Sequence, residues 1–315
     1  MKILRSGEAG FDIRGGALAI GNFDGVHLGH RALLDAAREE ARSLGGPAGA
    51  LIFEPHPAKL LNPEMAPRLM TTLPRRLELL AEAGLDATLI QTFDRAFASV
   101  AARDFVDRVL IEQLGARSVV VGEDFSFGKG RAGSVRELAA WLPEGGSRLR
   151  VVPQVKLERI SISSTRIREM LLEGHVEGAA RLLGRPFDLD GTVVRGMGRG
   201  ATIGFPTANV QSDNELLPLN GVYAVRARFD DRELPGAANL GRKPTFGEGG
   251  AHTIEVHLID HSGENLVGRA MRVIFIARLR DELRFPSVEA LTAQIGRDVA
   301  RARLLAGAGR NLDPA

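Results

Sequence analysis

Two histidines three residues apart, His27 and His30, follow a short apolar run, Ala17 to Ile20, and a turn built from Gly21, Asn22, Phe23, Asp24 and Gly25. The run is short enough for a buried strand, and its glycine, asparagine and aspartate neighbours break it. From about Leu28 a helical pattern takes over, with Leu33, Leu34 and Ala37 on one face. Strand, glycine-bearing turn and helix start form an anion site. The free N–H groups of the first helical turn point outward, and the helix dipole favours negative charge there. At a spacing of three the histidines share one helical face, and Gly29 between them lets the backbone or a ligand approach closely. A phosphate fits two imidazoles and several backbone donors.

Two further groups have the residue types for phosphate chemistry. Ser163, Ser164 and Thr165 precede a helical run, Ile167 to Leu172, with Arg166 and Arg168 beside them. Their hydroxyls can cap the helix or bind a phosphate together with the exposed N–H groups and an arginine; the segment alone supports both readings equally. Farther on, the donor-rich loop Gly196-Met197-Gly198-Arg199-Gly200 precedes Gly204-Phe205-Pro206-Thr207-Ala208-Asn209. Thr207 and Asn209 offer oxygens that suit a hard cation such as Mg²⁺, and they suit a polar turn with an Asx hydrogen bond as well. Glu255 lies in the apolar run Thr253 to His257. An acid there faces solvent or a site, solvent by default.

The elements that position these residues fall into two textures. The 315 residues suffice for two domains. Hydrophobic content of 44% and charged content of 25% are those of an ordinary globular chain. Forty-one basic against 39 acidic residues leave a formal charge of +2, too small for a strong nucleic-acid footprint. The absence of cysteine excludes a disulfide framework, a thiolate metal site and a cysteine nucleophile. No apolar run reaches membrane-spanning length and the N-terminus lacks a secretory apolar core, so a cytoplasmic protein is expected.

In the first half, strand signals at Ala17–Ile20, Ala48–Phe53, Ala87–Gln91, Ser118–Val121 and Leu149–Val152 alternate with helical ones at Leu28 onward, Pro74–Ala83 and Asp104–Leu114. That alternation predicts a parallel sheet with helices on both faces and ligands beyond the carboxyl ends of its strands. The histidine turn stands at such an end. So does Glu54-Pro55-His56-Pro57, where two prolines stop regular structure, and so does Gly122 to Gly128 with Asp124, Phe125 and Phe127. One pocket is predicted from all three, although the phenylalanines alone read as core. A closing helix, Glu173 to Leu183, and the breaker Gly184-Arg185-Pro186 predict two domains, 1–184 and 185–315. Beyond the break, strand-like runs at Gly191–Val194, Val222–Phe229, Thr253–Ile259 and Met271–Ala277 predict a β-barrel or sandwich. An amphipathic helix, Val288 to Leu305, closes it, and Gly307 to Ala315 reads as a frayed tail.

The stretch Gly21-Asn22-Phe23-Asp24-Gly25-Val26-His27-Leu28-Gly29-His30 resembles the His-x-Gly-His signature of the nucleotidyltransferase superfamily. In this longer form it looks like the bifunctional bacterial riboflavin kinase/FAD synthetases. Ile162 to Arg168 resembles that family's Ser-Ser-Thr-x-x-Arg motif, and Gly122-x-Asp124-Phe125-x-Phe127-Gly128 is similar to its nucleotide and flavin wall. Gly-Phe-Pro-Thr-Ala-Asn resembles the riboflavin kinase signature, and the strand Ile254 to Asp260 resembles the one that carries the kinase general base. Lys243-Pro244-Thr245-Phe246 is similar to the family's Pro-Thr-Phe block, with lysine where arginine is commoner. Leu266-Val267-Gly268 lacks the tyrosine expected before the glycine, and Arg280 to Asp298 resembles the carboxy-terminal strand and helix.

The resemblance implies an α/β chain: a Rossmann-like nucleotidyltransferase domain, then an antiparallel six-stranded β-barrel kinase domain with a C-terminal helix. It implies phosphorylation of riboflavin to FMN by ATP, then adenylylation of FMN to FAD with release of pyrophosphate. Implied catalytic residues are Glu255, His27 and His30. ATP phosphates would lie on Gly21, Asn22, Phe23, Asp24, Gly29, Ser163, Ser164, Thr165 and Arg168 in one module, and on Gly196, Gly198, Pro206, Thr207 and Asn209 in the other. Thr207 and Asn209 would hold Mg²⁺. The flavin would meet His56, Pro57, Asp124, Phe125, Phe127 and Arg280. Expected partners are riboflavin, FMN, FAD and ATP, with neither nucleic acid nor membrane, and a homo-oligomer stays open. The rivals are a tRNA-linked synthetase, a non-enzymatic flavin-binding protein, and a riboflavin kinase with a degenerate nucleotidyltransferase domain.

Overall fold

Six short, mostly apolar strands build a parallel sheet in the first half of the chain: β1 (Lys2–Arg5), β2 (Ala17–Ile20), β3 (Ala48–Glu54), β4 (Ala87–Thr92), β5 (Ser118–Gly122) and β6 (Arg148–Val152). Their order is β1–β4–β3–β2–β5–β6, every pair parallel. A computed structural model describes residues 1–242 and 252–307. Lys243 to Phe246 and the tail beyond Gly307 therefore lie outside the described residues. Strands covered on both faces read as continuous hydrophobic runs, and the alternate residues of β2 and β3 sort into two cores. Leu18, Ile20, Leu51 and Phe53 pack with Phe105, Val106 and Leu110. Ala17, Ala19, Ala50 and Ile52 pack with helices α1 (Leu28–Leu44) and α2 (Leu73–Glu82). The helical segment that covers the first core, Phe105–Gln113, is π-helical. Edge strand β1 escapes a periodicity reading because both its faces are largely exposed.

β2, β3 and β5 are neighbours, so parallel pairing brings the turns after Ile20, Glu54 and Gly122 to one edge of the sheet. The second proline of Glu54-Pro55-His56-Pro57 does not stop regular structure as expected. It occupies the first position of a short helix, Pro57–Leu61, where a missing N–H costs nothing.

The second half forms a closed antiparallel barrel from β7 (Phe187–Val194), β8 (Ala208–Gln211), β9 (Gly221–Phe229), β10 (Arg232–Arg242), β11 (His252–Leu258) and β12 (Ala270–Arg280), in the order β7–β8–β11–β10–β9–β12. Alternation sets its inside: Leu189, Val210, Val225, Ala238, Val256 and Val273 are buried. Tyr223, fully buried on β9, donates its hydroxyl to the Leu219 carbonyl, and burial pushes that hydroxyl's pKa up. β8 and β10 carry weak strand signals. The first is four residues long with two amides, and the second contains Pro235, Gly236 and Gly241.

By contacts the chain divides into two units, Met1–Leu69 with Leu73–Ser163, and Met70–Thr72 with Ser164–Ala315. The contact division falls at Ser163/Ser164, upstream of the boundary expected at Gly184/Arg185. The reason is apolar packing by two helices, α3 (Ser164–Leu172) and α4 (Val176–Leu183). α4 buries Val176, Ala179, Leu182 and Leu183, and packs on β7 and β12. Helix α5 (Val288–Gly307) closes the second unit against β9, β10 and β12.

Candidate active sites

In the first unit, the chain leaves β2 through a strained turn. Phe23 and Val26 have φ of 49° and 40°, a conformation costing about 1–3 kcal/mol per non-glycine residue. Both side chains are fully buried, which holds the turn in place. His27 caps α1: its Nδ1 accepts the His30 backbone N–H at 3.2 Å. The neutral ring therefore carries its proton on Nε2 and is a donor there. The two imidazoles stack with centroids 3.6 Å apart, and His30 meets the Phe23 ring edge-on at 5.3 Å. Gly29 lies against this packing: a Cβ there would stand 3.2 Å from the His27 ring, which would have to shift by a few tenths of an ångström. Asp24 is buried beside the turn.

The turns after β2 and β3 are joined. His56 Nδ1 accepts the Ala58 N–H at 3.2 Å, so its neutral ring also has the proton on Nε2, 3.1 Å from the Asn22 amide. The nearer amide atom is Nδ2, and Oδ1 is buried without a partner; turning the amide over pairs the Nε2–H with Oδ1 and points Nδ2 to the buried side. Asn22 then becomes a donor suited to an anion. Arg76, 1% exposed, donates to the Asn22 carbonyl and to Glu54, both at 3.0 Å. Sequence reading missed this arginine. The available signal was its place on the same helical face as Leu79 and Leu80.

The remaining expected residues of this module divide. Phe125 is half-buried, Asp124 exposed, and Phe127 buried, stacked on Phe125 and 5.3 Å from Phe105. Phe127 thus belongs to the core. Pro57 begins the short helix that His56 caps. Ser163 ends the first unit; Ser164, Thr165 and Arg168 stand in the first two turns of α3 in the second unit, with Thr165 exposed.

The second unit contains a cavity of about 620 Å³, within the usual range for small-molecule sites. Thr207, Asn239, Glu255, His257, Arg280 and Asp298 line it. Register explains the grouping. Glu255 on β11 pairs with Asn209 on β8 and with Asn239 on β10, forming a row across three strands. Ile254, Val256 and Leu258 point into the barrel, so Glu255 and His257 share the opposite face. The acid in an apolar strand therefore faces this cavity. Asn209 itself packs on the glycine loop: a Cβ at Gly196 would stand 2.1 Å from its Nδ2. Gly198, at φ 71°, leads into a short helix, Arg199–Thr202. Pro206 is exposed, and its carbonyl lies 2.9 Å from His257 Nδ1. Arg280 is engaged within the protein. Its Nε and Nη2 donate to Asp298 Oδ2 at 2.9 and 2.7 Å, and it lies 5.7 Å from the Phe285 ring.

Residues 12–166 match the family model for FAD synthetase, and residues 183–306 match that for riboflavin kinase. Together they define a two-module transferase, a nucleotidyltransferase unit joined to a flavokinase barrel. The bifunctional riboflavin kinase/FMN adenylyltransferase of Pseudomonas fluorescens is 42% identical across 93% of this chain and 94% of its own. Its counterpart in Escherichia coli strain K12 is 41% identical across 92% of both. A crystal structure described as a macrolide-efflux protein from Streptococcus pneumoniae superposes with a TM-score of 0.86 at 31% identity, covering 95% of this chain and 97% of that one. The chain belongs to the bifunctional riboflavin kinase/FMN adenylyltransferase family. Among the described residues no helix is long and apolar enough to cross a membrane.

Proposed function

We infer that the chain makes both FMN and FAD, phosphorylating riboflavin in the barrel module and adenylylating FMN in the parallel-sheet module. The observation that carries the kinase half is Glu255 on the cavity face, flanked in register by Asn209 and Asn239. Glu255 takes the proton from the terminal hydroxyl of the ribityl chain. That oxygen bonds to the γ-phosphorus of ATP as the bond to the β–γ bridging oxygen breaks, and ADP leaves. Positioning and fixed charge do most of the work in such transfers.

Thr207 and Asn209 would hold a Mg²⁺ ion. Their neutral oxygens are of the type Mg²⁺ takes, and Thr207 lines the same cavity as Glu255. The ion supplies neutralisation of phosphate charge when bound. Gly196 and Gly198 let the loop approach the nucleotide.

In adenylylation, an FMN phosphate oxygen bonds to the α-phosphorus of a second ATP, the bond to the α–β bridging oxygen breaks, and pyrophosphate leaves. The attacking group is already an anion, so the protein need supply no base. His27, proton on Nε2, and His30 donate to the phosphates, with Asn22 and the N–H groups around Gly21, Phe23, Asp24 and Gly29. Ser163, at the end of the first unit, binds phosphate in the same reaction, and His56, Pro57 and Phe125 meet the flavin. Among the described residues no group of three acidic, histidine or cysteine side chains forms a metal cluster.

The test is incubation with riboflavin, ATP and Mg²⁺, with chromatography of the products. FMN and FAD are expected, and FMN alone would leave a monofunctional kinase. Glu255→Gln should lower FMN formation by about 10²–10⁴-fold, while FAD formation from supplied FMN persists. Near-normal FMN formation by that variant removes Glu255 from its role.

A further inference from the structure

The hydrogen-bond ladder between β8 and β11 stops one step short of the residues that matter for phosphate binding. Its last pair is Ala208 with Val256. The next step would involve Thr207 and Pro206, and proline has no N–H to continue a ladder. A side chain takes over at that point. His257, one residue beyond Val256, reaches across so that its Nδ1 lies 2.9 Å from the Pro206 carbonyl. A carbonyl only accepts, so the His257 proton is on Nδ1. The same imidazole meets the Phe205 ring edge-on at 5.4 Å. From the other side Gly200 binds this turn: the Phe205 N–H donates to the Gly200 carbonyl at 2.9 Å. A Cβ on Gly200 would stand 2.3 Å from the Phe205 oxygen. The Phe205-Pro206-Thr207 turn is thus fixed by the glycine loop on one flank and by His257 on the other. His257 and Thr207 line the same cavity as Glu255.

We propose that His257 is a positioning residue of the kinase step, holding the Pro206 carbonyl so that Thr207 meets the nucleotide phosphates. The inference rests on the kinase reading above. His257 contacts neither reacting atom; it acts through the turn. Thr207 binds phosphate in ground state and transition state alike, so loosening it weakens ATP binding without slowing the bound complex.

The experiment uses the full chain with riboflavin saturating and ATP varied, counting FMN plus FAD as the kinase product. The variants are His257→Ala, His257→Phe and His257→Asn. Alanine removes both the N–H and the ring. Phenylalanine keeps a ring against Phe205 without a donor. Asparagine places an N–H the same number of bonds from the backbone as Nδ1. His257→Ala and His257→Phe should raise the KM for ATP about fivefold, the effect of one net hydrogen bond, with kcat nearly unchanged. His257→Asn should restore most of the loss, and all three should convert supplied FMN to FAD at the wild-type rate. If His257→Ala does not fold, the phenylalanine and asparagine variants decide. A wild-type KM for His257→Phe overturns the proposal, because packing would then suffice. So does an asparagine variant no better than phenylalanine, or a fall in kcat with KM unchanged. Failure of the wild-type chain to form FMN overturns the kinase reading itself, and the inference with it.

Discussion

Removing the carboxylate of Asp298 should destabilise the barrel unit more than almost any other single change near its cavity. The Arg280 and Asp298 side chains are 17% and 8% exposed. Two guanidinium N–H groups converge on Asp298 Oδ2 at 2.9 and 2.7 Å, a third binds the Asp281 carbonyl at 2.8 Å, and Gln294 donates to Oδ1 at 2.9 Å. Asp298→Ala leaves a half-buried guanidinium without its counter-charge, at a cost of up to about 3–5 kcal/mol. In a unit of about 150 residues each kcal/mol shifts Tm by about 2–4 °C, so the barrel transition should fall by up to roughly 6–20 °C. The double change Arg280→Met with Asp298→Leu should recover most of the loss, since no charge is then stranded. α5 contributes Val288, Leu291 and Ile295 to the cavity, so the single variant should also raise the KM for riboflavin. Scanning calorimetry resolves the transition, with the two units treated separately because one two-state ΔG does not describe both. A shift under about 2 °C, or a double variant no more stable than the single one, would refute the reasoning.

His30→Ala should lower FMN-to-FAD conversion by about 10²–10³-fold, as loss of a donor aimed at developing charge does, and leave riboflavin phosphorylation intact. If His30 only packs on His27 and Phe23, the melting temperature falls while adenylylation per folded molecule is kept, so both are measured on one preparation. Module separability turns on α4: a fragment Ser164–Ala315 should fold and form FMN without FAD. The shorter Asp188–Ala315 loses the buried Val176, Ala179, Leu182 and Leu183 and should be less stable, with a folded but inert longer fragment counting against the kinase assignment.

Much of the site was legible because its chemistry is local. His27, Gly29 and His30 lie within four residues, and a strand, glycine turn and helix start make an anion site wherever they occur. Glu255 was legible as an oddity, an acid in an apolar strand, but its direction was not: period-two alternation says only that it opposes Ile254 and Val256. Asn239 and Arg76 were missed for a common reason. Each acts by touching residues distant in sequence, Asn239 beside Glu255 and Arg76 beside Asn22 and Glu54. Arg280 was named through the resemblance alone, and its ion pair with Asp298, 18 residues on, became visible only in the fold.

The amino-acid sequence by itself determined the two textures, alternating strand and helix and then strand upon strand, because burial on one face or two leaves its period in the chain. It also determined the phosphate-type turns, whose glycines, hydroxyls and histidines are neighbours along the backbone. Only the tertiary structure decided which strands adjoin, and therefore that Asn209, Glu255 and Asn239 form one row and that His257 holds Pro206. It alone assigned α3 and α4 to the barrel unit, since a breaker such as Gly184-Arg185-Pro186 marks where a helix ends, while its apolar face chooses the surface it packs on.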